Sequence, residues 1–398
     1  MFSLELSDEQ KIMQKSAREF ALKSFTKQAA EEYESKQEFP WELYRRVAAQ
    51  GYIGSNWPQE YGGQGLGLMD EIVVSYELMR VDPPLASAVL AGAFGSDLLA
   101  FFGTHEQKSK WLPRVAKGEV TSAACFTEPA GGSDISRVLD TRAVRRNSRW
   151  VINGTKTFIT NGTTASFLVT LAQTDSSAKP PHKGQTEFVV ERSEKIQASA
   201  FKNKMGWLAS PTAEVRFNDA EVGDEDILGG VQNLNMGFYL GLRFLSVGRL
   251  IVGLQGVTTA DAALERAIEY SKERTAFGKK IGGYQALAFR LVEMATKVEH
   301  VKTFALRTAS VIERSFGDFS LAEEAVRLSS MLKWYATRTA VEACDLALDV
   351  MAGYGYIGDD VQRWYRFAKV LEIVEGTKEI QKNTIARIML GREIAGSF

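Results

Sequence analysis

Three textures follow one another along the chain. Up to about residue 120, apolar positions recur at helical spacing in short blocks separated by turns. The first block opens at Ser7, where a serine followed three residues later by Gln10 fits a capping box. A second runs from Met69 to Met79, and Pro83-Pro84 marks the next break. Between the two, Trp57 to Gly67 combines Pro58 with glycines at 62, 63, 65 and 67, which interrupts any helical period and predicts a loop. From about residue 122 the period shortens. Runs at Phe167 to Leu171, Phe188 to Val190 and Ala213 to Phe217 predict strands, with a polar, proline-containing segment around Lys179 to Gly184. Trp150-Val151-Ile152 and Thr157-Phe158-Ile159 flank Asn153-Gly154, which predicts a two-residue β-hairpin turn at that point. After about residue 236 the helical period returns and persists, with Leu250, Leu254, Val257, Leu264 and Ile268 near one face and interruptions at Gly317-Asp318 and 353–360. The fold class is therefore α+β and multidomain: a helical domain at 1–121, a β domain at 122–235 and a helical bundle at 236–398. Helices, then strands, then helices excludes an alternating βαβ architecture.

Length and charge narrow this further. A chain of 398 residues holds two to three domains and a large core. With 45% hydrophobic and 24% charged residues, disorder and collagen-like repeats are excluded. A net charge of −1 offers no footprint for nucleic acid. Two distant cysteines, Cys125 and Cys344, and three histidines assemble neither a disulfide framework nor a Cys/His metal site, so the expected metal content is none. The chemistry must come from carboxylates, hydroxyls and a bound cofactor.

The start, MFSLELSDEQ, is acidic where a signal peptide is basic and apolar, which points to a cytoplasmic enzyme. The best transmembrane candidate, Met236 to Val257, contains Arg243 and Arg249, each costing about 2.5 to 3.5 kcal/mol at a bilayer centre. It reads as a buried helix, and no membrane partner is expected. Gly353-Tyr354-Gly355-Tyr356-Ile357-Gly358 matches a dinucleotide fingerprint, but that motif needs a strand before it, and Thr337 to Met351 reads as helix.

Four blocks carry more specific information: Cys125 to Asp134 (CFTEPAGGSD), Lys156 to Gly162 (KTFITNG), Glu273 to Lys279 (ERTAFGK) and Glu375 to Gln381 (EGTKEIQ). Together with Pro58 to Gly67 and Gly103 to Glu119, they resemble the acyl-CoA dehydrogenase family in the right order over nearly the whole chain. The resemblance implies an N-terminal helical domain, a middle β-barrel-like domain and a C-terminal four-helix bundle. It also implies α,β-dehydrogenation of an acyl-CoA thioester, with FAD accepting the β-hydride at flavin N5 and an electron-transferring flavoprotein receiving the electrons. An oxygen-using acyl-CoA oxidase and a non-catalytic flavoprotein on the same scaffold are the alternatives.

The base that the resemblance implies is Glu375. Gly376 frees the backbone to turn and Thr377 can cap the following helix, placing the carboxylate at a junction. A glutamate that only complements a helix N-terminus is the plainer reading. Some relatives place the base directly before the position of Arg249, where this chain has Gly248. On the cofactor, the resemblance implies Thr127 and Thr160 at the flavin edge, Ser133 at the pyrophosphate or the CoA chain, and Phe158 over one ring face, although Phe158 also suits a core strand position. It further implies that Arg274, Thr275, Phe277 and Gln285 reach the FAD of a neighbouring subunit, with Gly353, Thr377 and Glu379 completing the contacts. An arginine ending a helix is otherwise a solvated charge. Ser133, Arg249 and Gly376 would serve the substrate, and a cofactor shared between chains implies a homo-oligomer, usually a tetramer.

The chain departs from the family pattern at Asp349, Ala352, Phe367, Ser246 and Arg137, mostly toward the adenosine end of the cofactor. Ala86 stands where glutaryl-CoA-oxidising relatives carry an arginine, which disfavours a glutaryl-type substrate. The acyl pocket is expected between Tyr76 to Phe94, Gly237 to Leu245 and the loop ending at Glu375. The small residues Ala86, Ala88, Ala91, Gly92 and Ala93 make room for a bulky acyl group or permit tight helix packing. Arg243 either forms a structural contact or holds a polar acyl group.

Overall fold

The computed structural model describes residues 6–137 and 140–395. Residues 1–5 of the acidic start and the last three residues of the bundle segment lie outside the described residues. The chain opens with helices α1 (Asp8–Ser24), α2 (Lys27–Lys36), α3 (Trp41–Ala49), α4 (Leu68–Met79), α5 (Pro83–Leu90), α6 (Ser96–Phe102) and α7 (His105–Ala116). The capping box at Ser7 and Gln10 is formed. At α5, Asp82 caps the N-terminus while Pro83 and Pro84 occupy the first helical positions, where their missing N–H groups cost nothing.

The middle of the chain is a mixed sheet of β1 (Thr121–Cys125), β2 (Arg142–Arg146), β3 (Arg149–Thr160), β4 (Ala165–Gln173), β5 (Gln185–Glu191), β6 (Ile196–Ala200) and β7 (Thr212–Val222). Its order is β1-β4-β2-β3-β7-β6, with β5 also pairing β4. The sheet is a half-barrel and does not close, which corrects the barrel-like expectation. Closure is not needed, because Phe167, Val169 and Val189 bury their face of β4 and β5 in a core shared with the helices. Trp111 of α7 stacks on Phe167 at 4.7 Å.

The hairpin expected at Asn153-Gly154 is a second correction. Strand β3 runs straight through that pair, and the reversal falls at Asn147-Ser148, with Asn147 at φ +55° and Arg146 paired to Arg149. Gly154 marks a shift of register against β7, and a Cβ there would stand 2.5 Å from the Thr141 Cα. The glycine serves a close approach of two backbones, and the Asn153 side chain is spent on Asp219 (Nδ2 to Oδ1, 2.9 Å).

The C-terminal part comprises α8 (Gly237–Glu273), a small ribbon of β8 (Thr275–Ala276) and β9 (Lys279–Lys280), α9 (Gln285–Ser315), α10 (Ala322–Met351), α11 (Gly353–Tyr356), α12 (Val361–Leu371), α13 (Lys378–Leu390) and α14 (Arg392–Ala395). Helix α8 is long and apolar enough to cross a membrane, with mean hydropathy 1.4, but 67% of that window is buried inside the molecule. It is the core helix that the sequence led us to expect. The apparent dinucleotide fingerprint falls on α11 and follows helix α10, with no strand ahead of it. Arg363 of α12 ties the ends of the chain together: it is buried and donates to Glu34 of α2 at 3.1 Å, Asp82 at 2.5 Å and Asp360 at 2.8 Å.

Candidate active site

Between α12 and α13 the chain turns sharply. Glu375 has φ +55° and Gly376 φ +86°, so a glutamate occupies the left-handed region where its Cβ is disfavoured. The turn is held from two sides. Gln381, buried in the first turns of α13, donates its Nε2 to the carbonyls of Glu375 and Gly376, each at 2.9 Å. Lys333 of α10, also buried, donates its Nζ to the Gly376 carbonyl at 2.8 Å. Thr377 caps α13 through the Ile380 N–H at 3.4 Å.

This turn aims the Glu375 carboxyl at α8. Its Oε2 is buried and has no hydrogen-bond partner among the described residues. Directly opposite is Gly248, where an added Cβ would lie 2.7 Å from that oxygen. The missing side chain at 248 is thus the space the carboxyl occupies. Burial raises the Glu375 pKa, and the positive charges of Arg249 and then Lys333 draw it back. Arg249 is buried with its Nη1 on the Ser330 hydroxyl at 3.3 Å and its Nε without a partner. Burial lowers the Lys333 ammonium to about 8, against the pull of Glu375.

A second group of residues meets on the sheet. Thr127 follows β1, and its carbonyl accepts the Thr157 N–H at 2.9 Å, which brings Thr127 beside the end of β3. There the ladder slips between Lys156 and Ile159, and Phe158, at φ +59°, is turned out of the sheet to 66% exposure, against Phe201 at 5.5 Å. The core-strand reading of Phe158 is thereby excluded. Thr127 and Thr160 are half-buried, with hydroxyls that no protein group engages among the described residues. Ser133 is exposed in the loop beyond β1. Beneath this surface, Lys156 is fully buried and donates to the Phe126 carbonyl at 3.0 Å and to Glu128 at 2.9 Å, while Glu128 also accepts from the N–H groups of Asp140 and Thr141. An exposed ring face flanked by two unengaged hydroxyls on a rigid base fits a planar ring with polar edges, as a flavin has.

The remaining predicted cofactor residues lie elsewhere. Arg274, Thr275, Phe277 and Gln285 are exposed around the β8–β9 ribbon, and Phe277 is 97% exposed at φ +49°. At the usual helical rise, α8 puts Arg274 roughly 39 Å from Gly248. Gly353 is exposed at the start of α11, with nothing near the place of a Cβ. Glu379 is exposed in the first turn of α13, and its own helical N–H lowers its pKa.

Of the departures from the family pattern, Asp349, Phe367 and Arg137 have partners here. Asp349 is paired with Arg290 at 2.6 Å. Phe367 is buried against Trp207 at 5.5 Å, docking a loop of the middle domain on the bundle. Ala352 sits at φ +49° and ψ −129°, a conformation suited to glycine. Arg137 is exposed and pairs with Asp134 at 3.8 Å, and Ser246 is buried on α8. Arg243 is also exposed, with its guanidinium over Phe102 at 5.5 Å and Phe319 at 5.4 Å, so it makes a surface contact. Around the expected acyl pocket, Tyr76 donates its hydroxyl to Asp261, and a Cβ at Gly92 would strike Tyr44 at 2.6 Å, so this glycine permits tight packing.

Sequence reasoning missed Lys333, Gln381 and the Glu128–Lys156 pair. Lys333 had left a signal: it stands inside the apolar stripe of Leu328, Leu332 and Ala336, with Ser329 and Thr337 one turn away on either side.

A helical domain, an open half-barrel and a helical bundle surround the Glu375 carboxyl, whose Oε2 is buried and unpartnered among the described residues. Known proteins place the chain more closely. Family models for the N-terminal, middle and C-terminal domains of acyl-CoA dehydrogenases match residues 7–119, 123–220 and 235–390. The chain is 34% identical over 391 residues to an acyl-CoA dehydrogenase of Bacillus subtilis (strain 168), covering 98% of this chain and 100% of that protein. It is 35% identical to the CarC subunit of the caffeyl-CoA reductase-Etf complex of Acetobacterium woodii, over 96% of this chain and 99% of the relative. The crystal structure of an acyl-CoA dehydrogenase from Geobacillus kaustophilus superposes with a TM-score of 0.87 at 32% identity, over 97% of this chain and 99% of that one. The chain belongs to the acyl-CoA dehydrogenase family.

Proposed function

We propose that this protein is an FAD-dependent acyl-CoA dehydrogenase in which Glu375 removes the α-proton of an acyl-CoA thioester. The observation that carries this reading is the Glu375 carboxyl, held by a strained turn with one oxygen buried, unpartnered and seated in the gap left by Gly248. An oxygen with no partner is free to accept a proton, and a fixed backbone keeps it in place while it does so. Gly376 and Glu375 hold their own carbonyls turned toward Gln381, which commits the backbone of the base before substrate arrives. Arg249 and Ser133 serve the substrate, and Thr127, Thr160 and Phe158 hold the flavin ring. FAD, when bound, supplies the hydride acceptor that makes the dehydrogenation possible.

Two surface features support assembly into a homo-oligomer, a tetramer by the family resemblance. Arg274, Thr275, Phe277 and Gln285 stand exposed and far from Glu375 of their own chain, which suits a contribution to a neighbour's cofactor, while Gly353, Thr377 and Glu379 complete the cofactor contacts. In addition, a cavity of about 620 Å³ on the bundle is lined by Phe304, Met331, Trp334, Ile385, Met389 and Leu390. The membership of a close relative in a complex with Etf supports an electron-transferring flavoprotein as acceptor. We take the functional units as 1–121, 122–235 and 236–398.

The test is anaerobic mixing of the FAD-loaded protein with straight, branched, aromatic and alicyclic acyl-CoAs. A suitable substrate bleaches the flavin, and Glu375→Gln binds it without bleaching. A colourless protein that cannot be reconstituted with FAD sinks the reading, as does undiminished flavin reduction by the Gln variant. Rapid reoxidation by air would point to an oxidase.

A further inference from the structure

Lys333 is a costly residue for its position. It is 0% exposed, on a helix whose neighbouring buried positions are Leu332, Ala336 and small hydroxyl side chains. Among the described residues its ammonium makes one hydrogen bond, to the Gly376 carbonyl at 2.8 Å, and no ion pair with a carboxylate. Burying an ammonium without a counter-charge in contact is unfavourable, and a methionine of similar length would fill the space without that penalty.

As a hydrogen-bond donor the lysine is also redundant. The same Gly376 carbonyl accepts from Gln381 at 2.9 Å, and Gln381 holds the Glu375 carbonyl as well. Without Lys333 both carbonyls of the left-handed turn keep a partner. What remains, and what only a cation supplies, is its field at the Glu375 carboxyl. The charged groups around that carboxyl are few. Helix α8 contributes Arg249, α10 contributes Lys333, and Gly248 offers nothing that could share a proton. On the segment of Glu375 itself, Glu372 is engaged by Lys369 at 2.5 Å and Lys378 at 3.7 Å, and Glu379 is exposed at the start of α13.

We propose that Lys333 is a positioning residue that acts by charge, keeping Glu375 ionised in the free enzyme, while Gln381 supplies the geometry of the turn. The proposal rests on the reading of Glu375 as the base. It resolves a conflict in that reading. The burial that makes the carboxyl a stronger base also favours its protonation, and a protonated Glu375 cannot take the α-proton. A cation behind the turn offsets this without occupying the carboxyl oxygen that must receive the proton.

The test compares Lys333→Met, Lys333→Arg and Gln381→Met in the full-length, FAD-loaded protein, using the acyl-CoA that best bleaches the wild type. The Lys333 charge lowers the Glu375 carboxyl, and a neighbouring opposite charge is worth about one unit or more, so in K333M the acid limb of the kcat/KM profile moves up by about one unit. Well below the wild-type limb a one-unit move is a loss of about tenfold, and the two profiles converge at pH values above both limbs. K333R restores the limb, and Q381M lowers kcat across the pH range without moving it. Independently of turnover, the Glu375 carboxylic C=O band, isolated by infrared difference against E375Q, titrates at higher pH in K333M. A folded K333M with unshifted acid limb and unshifted band overturns the proposal, and so does Q381M shifting the limb as far as K333M. If K333M does not fold, K333Q carries the same comparison. Full flavin reduction by E375Q instead defeats the assignment of the base itself, so the two failures are distinguishable.

Discussion

Replacing Gly248 with alanine separates the stability of this protein from its chemistry. An ideal Cβ at 248 stands 2.7 Å from Glu375 Oε2 and 3.1 Å from its Cδ, whereas ordinary contact begins at 3.4 Å. The carboxyl oxygen must therefore withdraw by about 0.7 Å, because its own backbone is pinned by Gln381 and Lys333 and α8 is packed in the core. A displacement of about 1 Å at a reacting group costs on the order of a hundredfold in rate, so G248A should reduce flavin about 10- to 100-fold more slowly. Stability should move the other way. Alanine exceeds glycine by about 1 kcal/mol in a helix interior, and the end of one side chain yields easily. Stopped-flow anaerobic flavin reduction and chemical denaturation on the same preparation read the two effects. A G248A variant that reduces flavin at the wild-type rate would refute the claim that this gap seats a catalytic carboxyl. One that loses stability as well as rate would show that the contact is not confined to the carboxyl's end.

Two further outcomes follow from other parts of the fold. Arg363→Met leaves Glu34 and Asp82 facing each other without their shared cation, which should destabilise the protein by about 3 to 5 kcal/mol, measurable as a lower denaturation midpoint. Ala352→Gly removes a strain of about 1 to 3 kcal/mol at φ +49° and adds a flexibility cost of about 0.5 to 1 kcal/mol, so the melting temperature should rise. An unchanged or lower melting temperature would count against strain at that turn.

Much of the fold was legible because its signals are local. The Ser7–Gln10 capping box, the loop from Trp57 to Gly67 and the long apolar helix through Leu250 and Val257 each depend on residues a few positions apart. The hairpin expected at Asn153-Gly154 failed for the opposite reason. That glycine answers to Thr141, the backbone it touches across the sheet, and Asn153 answers to Asp219. Local turn chemistry cannot register either partner. Phe158 shows the same limit: a strand residue by its neighbours in sequence, it is turned outward by a slip in pairing with β7.

By itself the sequence determined the order of helices, strands and helices, excluded the dinucleotide fingerprint at Gly353, and marked Glu375 at a turn before a capped helix. These are properties of periodicity and of single junctions, which neighbouring residues set. Only the tertiary structure decided what the glutamate faces. The gap at Gly248, the buried charge of Lys333 and the clasp of Gln381 come from three helices that are distant along the chain, α8, α10 and α13. A carboxyl acquires its proton affinity from burial and from the charges around it, and both are fixed only when those helices pack.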